Sequence, residues 1–356
     1  MQPISIDYGT PKPPGRLRQL LKYAFRGVVA LLIFALFSFG AARIWLARGA
    51  GGPGQPPAGY SSMNQVYAAI MIGALPLIDR QPSVPPELTL KEGLSYARSS
   101  DIDLKLDLYL PAGASRDQRR PLFVLIHGGG WKSGDRADYR PHAVRVAKAG
   151  YVVASLSYRL SGVAKFPAAA RDVNTALQFL ANRADEFGID PNRFVLMGGS
   201  AGGHLAMLAG YSKAPRLKSE KAEPGDVNYK IASIFNFYGP CDLTSDFARD
   251  VDVVKSFIGK NFSEGAEVYR EASPLFDITP EAPPTLIVHG TLDDIVPVEQ
   301  SDQLAEKLRA AGVPVRYERI SGWPHTMDLA APMFEYLSTV ILEELRRAVG
   351  RVDIAG

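Results

Sequence analysis

RFVLMGGSAGGHLAMLAG, Arg193 to Gly210, joins two unlike patterns through a glycine-bounded turn. RFVLMG is a continuous apolar run, as expected of a strand buried on both faces. The residues after Ser200 are uncharged and mostly apolar, which suits a helix with no wetted side. Between them stands Gly198-Gly199-Ser200-Ala201-Gly202, a G-x-S-x-G sequence. A strand that runs straight into a helix there needs glycine beside the turn, and the serine is lifted above the sheet edge. In a chain with 33 glycines the pattern alone is weak. Its place between strand and helix gives it weight, and Ser200 is the candidate nucleophile.

The same alternation continues on either side. DLKLDLYLP (Asp103 to Pro111) has a period of two and predicts an early, half-exposed strand. PLFVLI (Pro121 to Ile126), YVVASLSY (Tyr151 to Tyr158), ASIFNFYG (Ala232 to Gly239), PTLIVHG (Pro284 to Gly290) and VPVRYERI (Val313 to Ile320) read as further strands. Helical spacing lies between them, as where Val173, Leu177, Leu180 and Ala184 share one face. SDQLAEKLRAAG and the stretch from Met333 to Val349 are amphipathic helices. Strands alternating with helices predict a mostly parallel central sheet with helices on both faces. The charged stretch Ser212 to Asp226 reads as a solvated loop. The region near 243–283 is long enough for a small helical excursion over the sheet's C-terminal edge.

A serine hydroxyl needs a base within hydrogen-bond reach. Of the five histidines, His127 and His289 end strands beside glycine, where each most simply orders a turn. His204 sits on the helix after Ser200 and points away from a substrate, and His142 lies in an early helical region. His325, in SGWPHTMD, follows the last strand on a loop and is the candidate base. HGTLDDIVP offers Asp293 and Asp294 to orient it; adjacent side chains diverge, and Asp293 is the choice. Asp242 and Asp328 are remoter alternatives. HGGGW, His127 to Trp131, follows another strand with three bare residues. Side chains there would block an approaching molecule, so the N–H groups of Gly129 and Gly130, with that of Ala201, are candidate donors to an oxyanion.

Net charge is +3 for 356 residues, but the first 50 carry +6 and the remainder −3. The globular part has no basic signature for nucleic acid. A single cysteine, Cys241, excludes an intramolecular disulfide and any Cys-rich zinc site. Val28 to Leu46 is long and apolar enough to cross a bilayer if Arg43 snorkels, and Trp45 suits the interface. More cations precede the run than follow it, which places the N-terminus in the cytoplasm and the rest outside. A cleaved signal peptide is the competing reading, with secretion as its result, and a buried soluble helix is a third. The expected organisation is a basic tail and anchor or signal helix at 1–48, a flexible Gly/Pro-rich linker and accessory helix at 49–87, and a catalytic domain at 88–356. Within the linker region VYAAIMIGALPLI (Val66 to Ile78) is too short to span. It reads as a helix packed on the domain, or else as one lying on the membrane or beside the site as a lid.

HGGGW, FPAAARDV, GGSAGGHLA, YGPCDL, ASPLFDITPEAPPTLIVHGTLDDIVP and PHTMD together resemble the α/β-hydrolase superfamily. Within its HGGG-bearing esterase/lipase branch, they resemble the bacterial feruloyl-esterase-like group (BD-FAE), over about Leu88 to Leu345. The resemblance implies an α/β-hydrolase fold, the triad Ser200, Asp293 and His325, no cofactor, and a serine carboxylic-ester hydrolase acting on a small or medium acyl ester. Gly199 departs from the hormone-sensitive-lipase pattern, in which an acidic residue precedes the nucleophile. An amidase or peptidase, or a non-catalytic binding protein on the same fold, are the alternatives.

Overall fold

A computed structural model describes residues 16–49, 51–99, 102–218, 226 and 228–352. Of the charged stretch from Ser212 to Asp226, residues 219–225 fall outside them. Two helices come first, α1 (Arg16–Leu46) and α2 (Met63–Met71), followed by β1 (Leu88–Ser99), β2 (Ile102–Pro111) and β3 (Arg120–Ile126). Then follow α3 (Arg140–Lys148), β4 (Val152–Leu156), α4 (Ala168–Asn182), α5 (Ala184–Phe187), β5 (Ile189–Gly199) and α6 (Ala201–Tyr211). After β6 (Ile231–Phe237) come α7 (Asp246–Arg249), α8 (Asp252–Ile258) and α9 (Phe262–Glu271), which form the expected excursion. β7 (Thr285–Gly290), α10 (Glu299–Ala310), β8 (Val315–Ile320) and α11 (Ala331–Val349) close the fold.

The eight strands form one sheet in the order β1-β2-β4-β3-β5-β6-β7-β8. β1 and β2 are antiparallel to their neighbours, and β4 through β8 run parallel. β3, β4 and β7 are buried at every residue, as their continuous apolar runs require. Two hydrophobic clusters cover the two faces. One gathers α4 and α6 through residues such as Val173, Leu177 and Leu205, the other α3 and α11 through Val146, Leu337 and Ile341. This is the α/β-hydrolase fold.

Two features differ from the sequence reading. β2 is exposed only in its first half: Asp107 is fully buried, accepting from the Gly93 N–H and the Arg136 guanidinium, both at 2.8 Å. The alternation of polar residues was real, but the segment carrying Arg136 folds over that face. β1 itself, interrupted by a register shift at Gly93 (φ 67°), was not anticipated.

The segment at 51–61 has no strand or helix, as its glycines and prolines dictate, and it packs against the domain. The Tyr60 N–H donates to Gly322 O at 2.8 Å, and the buried Trp323 Nε1–H donates to Pro57 O at 2.9 Å. Tyr60 meets the Trp323 ring edge-on, donates its hydroxyl to Leu46 O, and carries the Arg48 guanidinium over its own ring. The chain leaving α1 is thereby strapped to the loop after β8. Val66 and Ala69 of α2 are buried, so this helix packs on the domain.

Candidate active site

The loops that carry Ser200, Asp293, His325 and the three glycines leave the C-terminal ends of parallel strands, where an open α/β sheet places its ligands. β5 delivers Ser200 with φ 55° and ψ −124°, a left-handed turn that a serine adopts only where the surroundings impose it. The surroundings are tight. At Gly199 an added Cβ would collide with the Tyr139 hydroxyl and lie 2.8 Å from that of Tyr238. The position that is acidic in the hormone-sensitive-lipase pattern is here faced by two phenols.

Loops after β7 and β8 bring Asp293 and His325 together. His325 Nδ1 lies 2.6 Å from Asp293 Oδ2, and the carboxylate is fully buried. Asp293 Oδ1 accepts the N–H groups of Ile295 and Val296 at 2.9 and 2.8 Å. Burial alone would raise the carboxyl pKa. Hydrogen bonds from His289 and His325 outweigh it and hold the group well below the usual carboxylate range. Asp294 is exposed, as the divergence of neighbouring side chains requires.

His289 does more than order its turn. Its Nε2 lies 3.0 Å from Asp293 Oδ2 and 2.9 Å from Val296 O. Both are acceptors, so Nε2 carries the proton, and Nδ1 faces the Ser301 hydroxyl at 2.7 Å. Asp293 is thus held by two imidazoles. The only signal in the sequence was the spacing His289-x-x-x-Asp293, which shows a contact only once the turn is closed. His204 is buried, accepting from Trp131 Nε1–H at 3.3 Å and donating to Ala272 O at 2.7 Å. It supports the fold and does not reach the site.

Ser200 and His325 line one cavity of about 580 Å³ together with Gly128, Gly129 and Gly130. Among the described residues no hydrogen bond yet joins the Ser200 hydroxyl to the ring, an interaction that commonly tightens only around substrate. Gly129 and Gly130 have φ of 100° and 58°, and neither N–H has a backbone acceptor among the described loops and turns. Ala201 starts α6 behind the serine and is buried. An added Cβ at Gly130 would stand 2.8 Å from Val253, so bare backbone is required.

The lining is mixed. Phe247, Val251, Val253 and Val254 from the excursion, with Ile295 and Leu329, supply its apolar wall. Tyr139, Tyr238, Asp328 and an Arg80–Asp138 ion pair at 2.6 Å supply its polar groups. Tyr238, at φ 43°, donates its hydroxyl to Asp328 and lays its ring 4.6 Å from that of His325. Burial, and then the charge of Asp328, push both tyrosine hydroxyls up, so they remain neutral donors. Arg80 arrives from the segment before β1, which nothing in its own sequence had linked to the site.

Fold and site together define an α/β-hydrolase of the esterase/lipase type. The chain belongs to the BD-FAE family, whose model matches residues 106–308, more than half of its length. It is 35% identical over 218 residues to esterase LipC of Mycobacterium tuberculosis, covering 59% of this chain and 53% of LipC. It is 29% identical over 236 residues to isoprenylcysteine alpha-carbonyl methylesterase of Arabidopsis thaliana, covering 62% and 53%. The chain therefore spans about half the length of these relatives. Thermogutta terrifontis esterase 2, solved phosphoramylated by tabun, superposes with a TM-score of 0.65 at 26% identity, covering 78% of this chain and 100% of that one.

Proposed function

We propose that the protein is a membrane-anchored serine carboxylic-ester hydrolase that works through an acyl-enzyme. The observation carrying this reading is the 2.6 Å bond from His325 to the buried Asp293 carboxylate, at the mouth of a cavity shared with the strained Ser200. His325 Nε2 takes the Ser200 proton as the hydroxyl oxygen attacks the ester carbonyl, and Asp293 stabilises the imidazolium. The carbonyl oxygen, now an anion, receives the N–H groups of Gly129, Gly130 and Ala201. His325 returns the proton to the departing alcohol, and a water then repeats the sequence to release the acid. The apolar wall at Val253 takes the acyl chain; Thermogutta terrifontis esterase 2 has been solved with propionate and with butyrate bound, which supports a short chain.

Ser200→Ala is expected to lower p-nitrophenyl butyrate turnover by about 10⁴–10⁶-fold and to abolish labelling by a fluorophosphonate. Retained turnover would remove Ser200 as nucleophile. Phe25–Leu46 of α1 is the anchor in this reading: 22 residues rise about 33 Å, enough for the hydrocarbon core. The tail and anchor occupy 1–48, the strap and accessory helix 49–87, and the catalytic domain 88–356 lies outside the cytoplasm. Release of the protein by alkaline carbonate would overturn the anchor while leaving the chemistry untouched.

A further inference from the structure

From Tyr60 to Ile78 the chain contains no charged residue. A helix on a water-facing surface ordinarily carries charges opposite its buried stripe, and α2 carries none. Its inner face is Val66 and Ala69, while Tyr67 is 54% and Met71 85% exposed, with Ile70 at 37% between them. Leu77 beyond the helix is also open, at 54%. These side chains cluster where α1 ends. A Cβ placed on Gly73 would lie 3.9 Å from the Arg43 guanidinium, in the last turn of α1, and the outward Ile44 and Trp45 flank that arginine.

We propose that α2 and the turn after it seat in the headgroup region of the bilayer, with Ile70, Met71 and Tyr67 inserted beside the exit of α1. The inference rests on the reading of α1 as a membrane span. If α1 crosses, Arg43 must extend to the headgroups because a cation is costly in hydrocarbon, and Trp45 sits at the same level. Gly73 lies beside the Arg43 guanidinium, and Met71 is only two Cα steps of about 3.8 Å away. Its side chain falls within the roughly 5–10 Å depth at which interfacial helices bury their apolar faces. The strap from Pro57 and Tyr60 to Trp323 and Gly322 prevents the domain from swinging away on a tether. The seat also adjoins the catalytic mouth: the Ile78 N–H donates to Leu329 O, and Leu329 and Arg80 both line the cavity.

The test uses the full chain reconstituted in vesicles of phosphatidylcholine with a minor fraction of phosphatidylglycerol. Met71→Cys, Phe37→Cys and Glu186→Cys are each labelled with a polarity-sensitive thiol fluorophore. The native Cys241 stays unlabelled because it is buried and its thiol is pushed up by that burial. Phe37 lies within α1, and the exposed Glu186 on α5 precedes the N-terminal end of β5, whereas the cavity lies at the strands' C-terminal ends. Lipids bearing a nitroxide just below the headgroup are expected to remove most of the emission at Met71 and little at Glu186. Lipids with the nitroxide deep in the chains are expected to quench Phe37. Phe37 quenched with Met71 unaffected would overturn the seat and leave the anchor. Neither quenched would overturn the anchor and the seat with it. Met71 and Glu186 quenched alike would replace the seat by general adsorption of the domain.

Discussion

A buried carboxylate that must remain ionised beside an imidazole needs a donor for each oxygen, and Asp293 has them. Oδ1 receives two backbone amides, and Oδ2 is shared between His325 and His289. His289 never touches the reacting atoms, so it is a positioning residue: it holds Oδ2 where His325 Nδ1 meets it. A hydrogen bond to a charged group contributes about 1.5–3 kcal/mol, which corresponds to about 10–100-fold in rate. His289→Leu is accordingly expected to lower kcat by that factor with little change in KM. His289→Gln, which offers an N–H at similar reach, should recover much of the loss. A kcat unchanged in His289→Leu would show that the second imidazole is only structural. At this scale Ser200, Asp293 and His325 were legible because each stands in a local pattern: an elbow, a strand-end turn, a loop after the last strand. Arg80 and Tyr139 were not, since only tertiary packing brings them to the cavity, and Asp328, named only as a remoter partner for His325, instead accepts from Tyr238.

The strands β3 to β7 announce themselves as apolar runs or strand-ending motifs and the edge strand β8 by its place before the last loop, whereas the edge strand β1 and the covered half of β2 depend on neighbours. The helix α6 shows what its own sequence could not say about His204, which hydrogen-bonds across to Trp131 and Ala272 from the centre of a hydrophobic cluster. Burial lowers the His204 pKa to about 4 from an ordinary 6.5. The unfolded chain therefore binds a proton below about pH 6.5 that the folded chain refuses until about pH 4. Stability contributed here is complete above pH 6.5 and declines as pH falls towards 4. The difference amounts to about 3 kcal/mol at most. Chemical denaturation in detergent at pH 7.5, 6, 5 and 4, conditions chosen to bracket that window, should show the loss in the native chain. The slope should be shallower in His204→Asn. Parallel slopes would mean that other groups set the acid sensitivity.

For the whole molecule, what matters is how α1 and the hydrolase domain are joined. A glycine- and proline-rich junction suggests a loose tether by composition, because composition reports the lack of regular structure and not the lack of contacts. Here the junction meets the loop that carries His325, two residues beyond Trp323. The indole fills a fully buried site, and its N–H satisfies the Pro57 carbonyl. Trp323→Phe keeps an aromatic ring but leaves that carbonyl without a donor, at a cost of about 1–3 kcal/mol. A domain of this size should then lose about 2–8 °C in Tm. The weakened strap should open locally before the domain unfolds, since few other contacts hold it. Limited proteolysis of the full chain in detergent is expected to show new cleavage between Gly51 and Tyr60 in the variant, well below its Tm. Turnover should fall as well, because the His325 loop loses the packing that fixes its base. An unchanged Tm together with an uncut junction would mean that the strap is held by the Tyr60 and Arg48 contacts alone, and that Trp323 serves only the interior of its own loop.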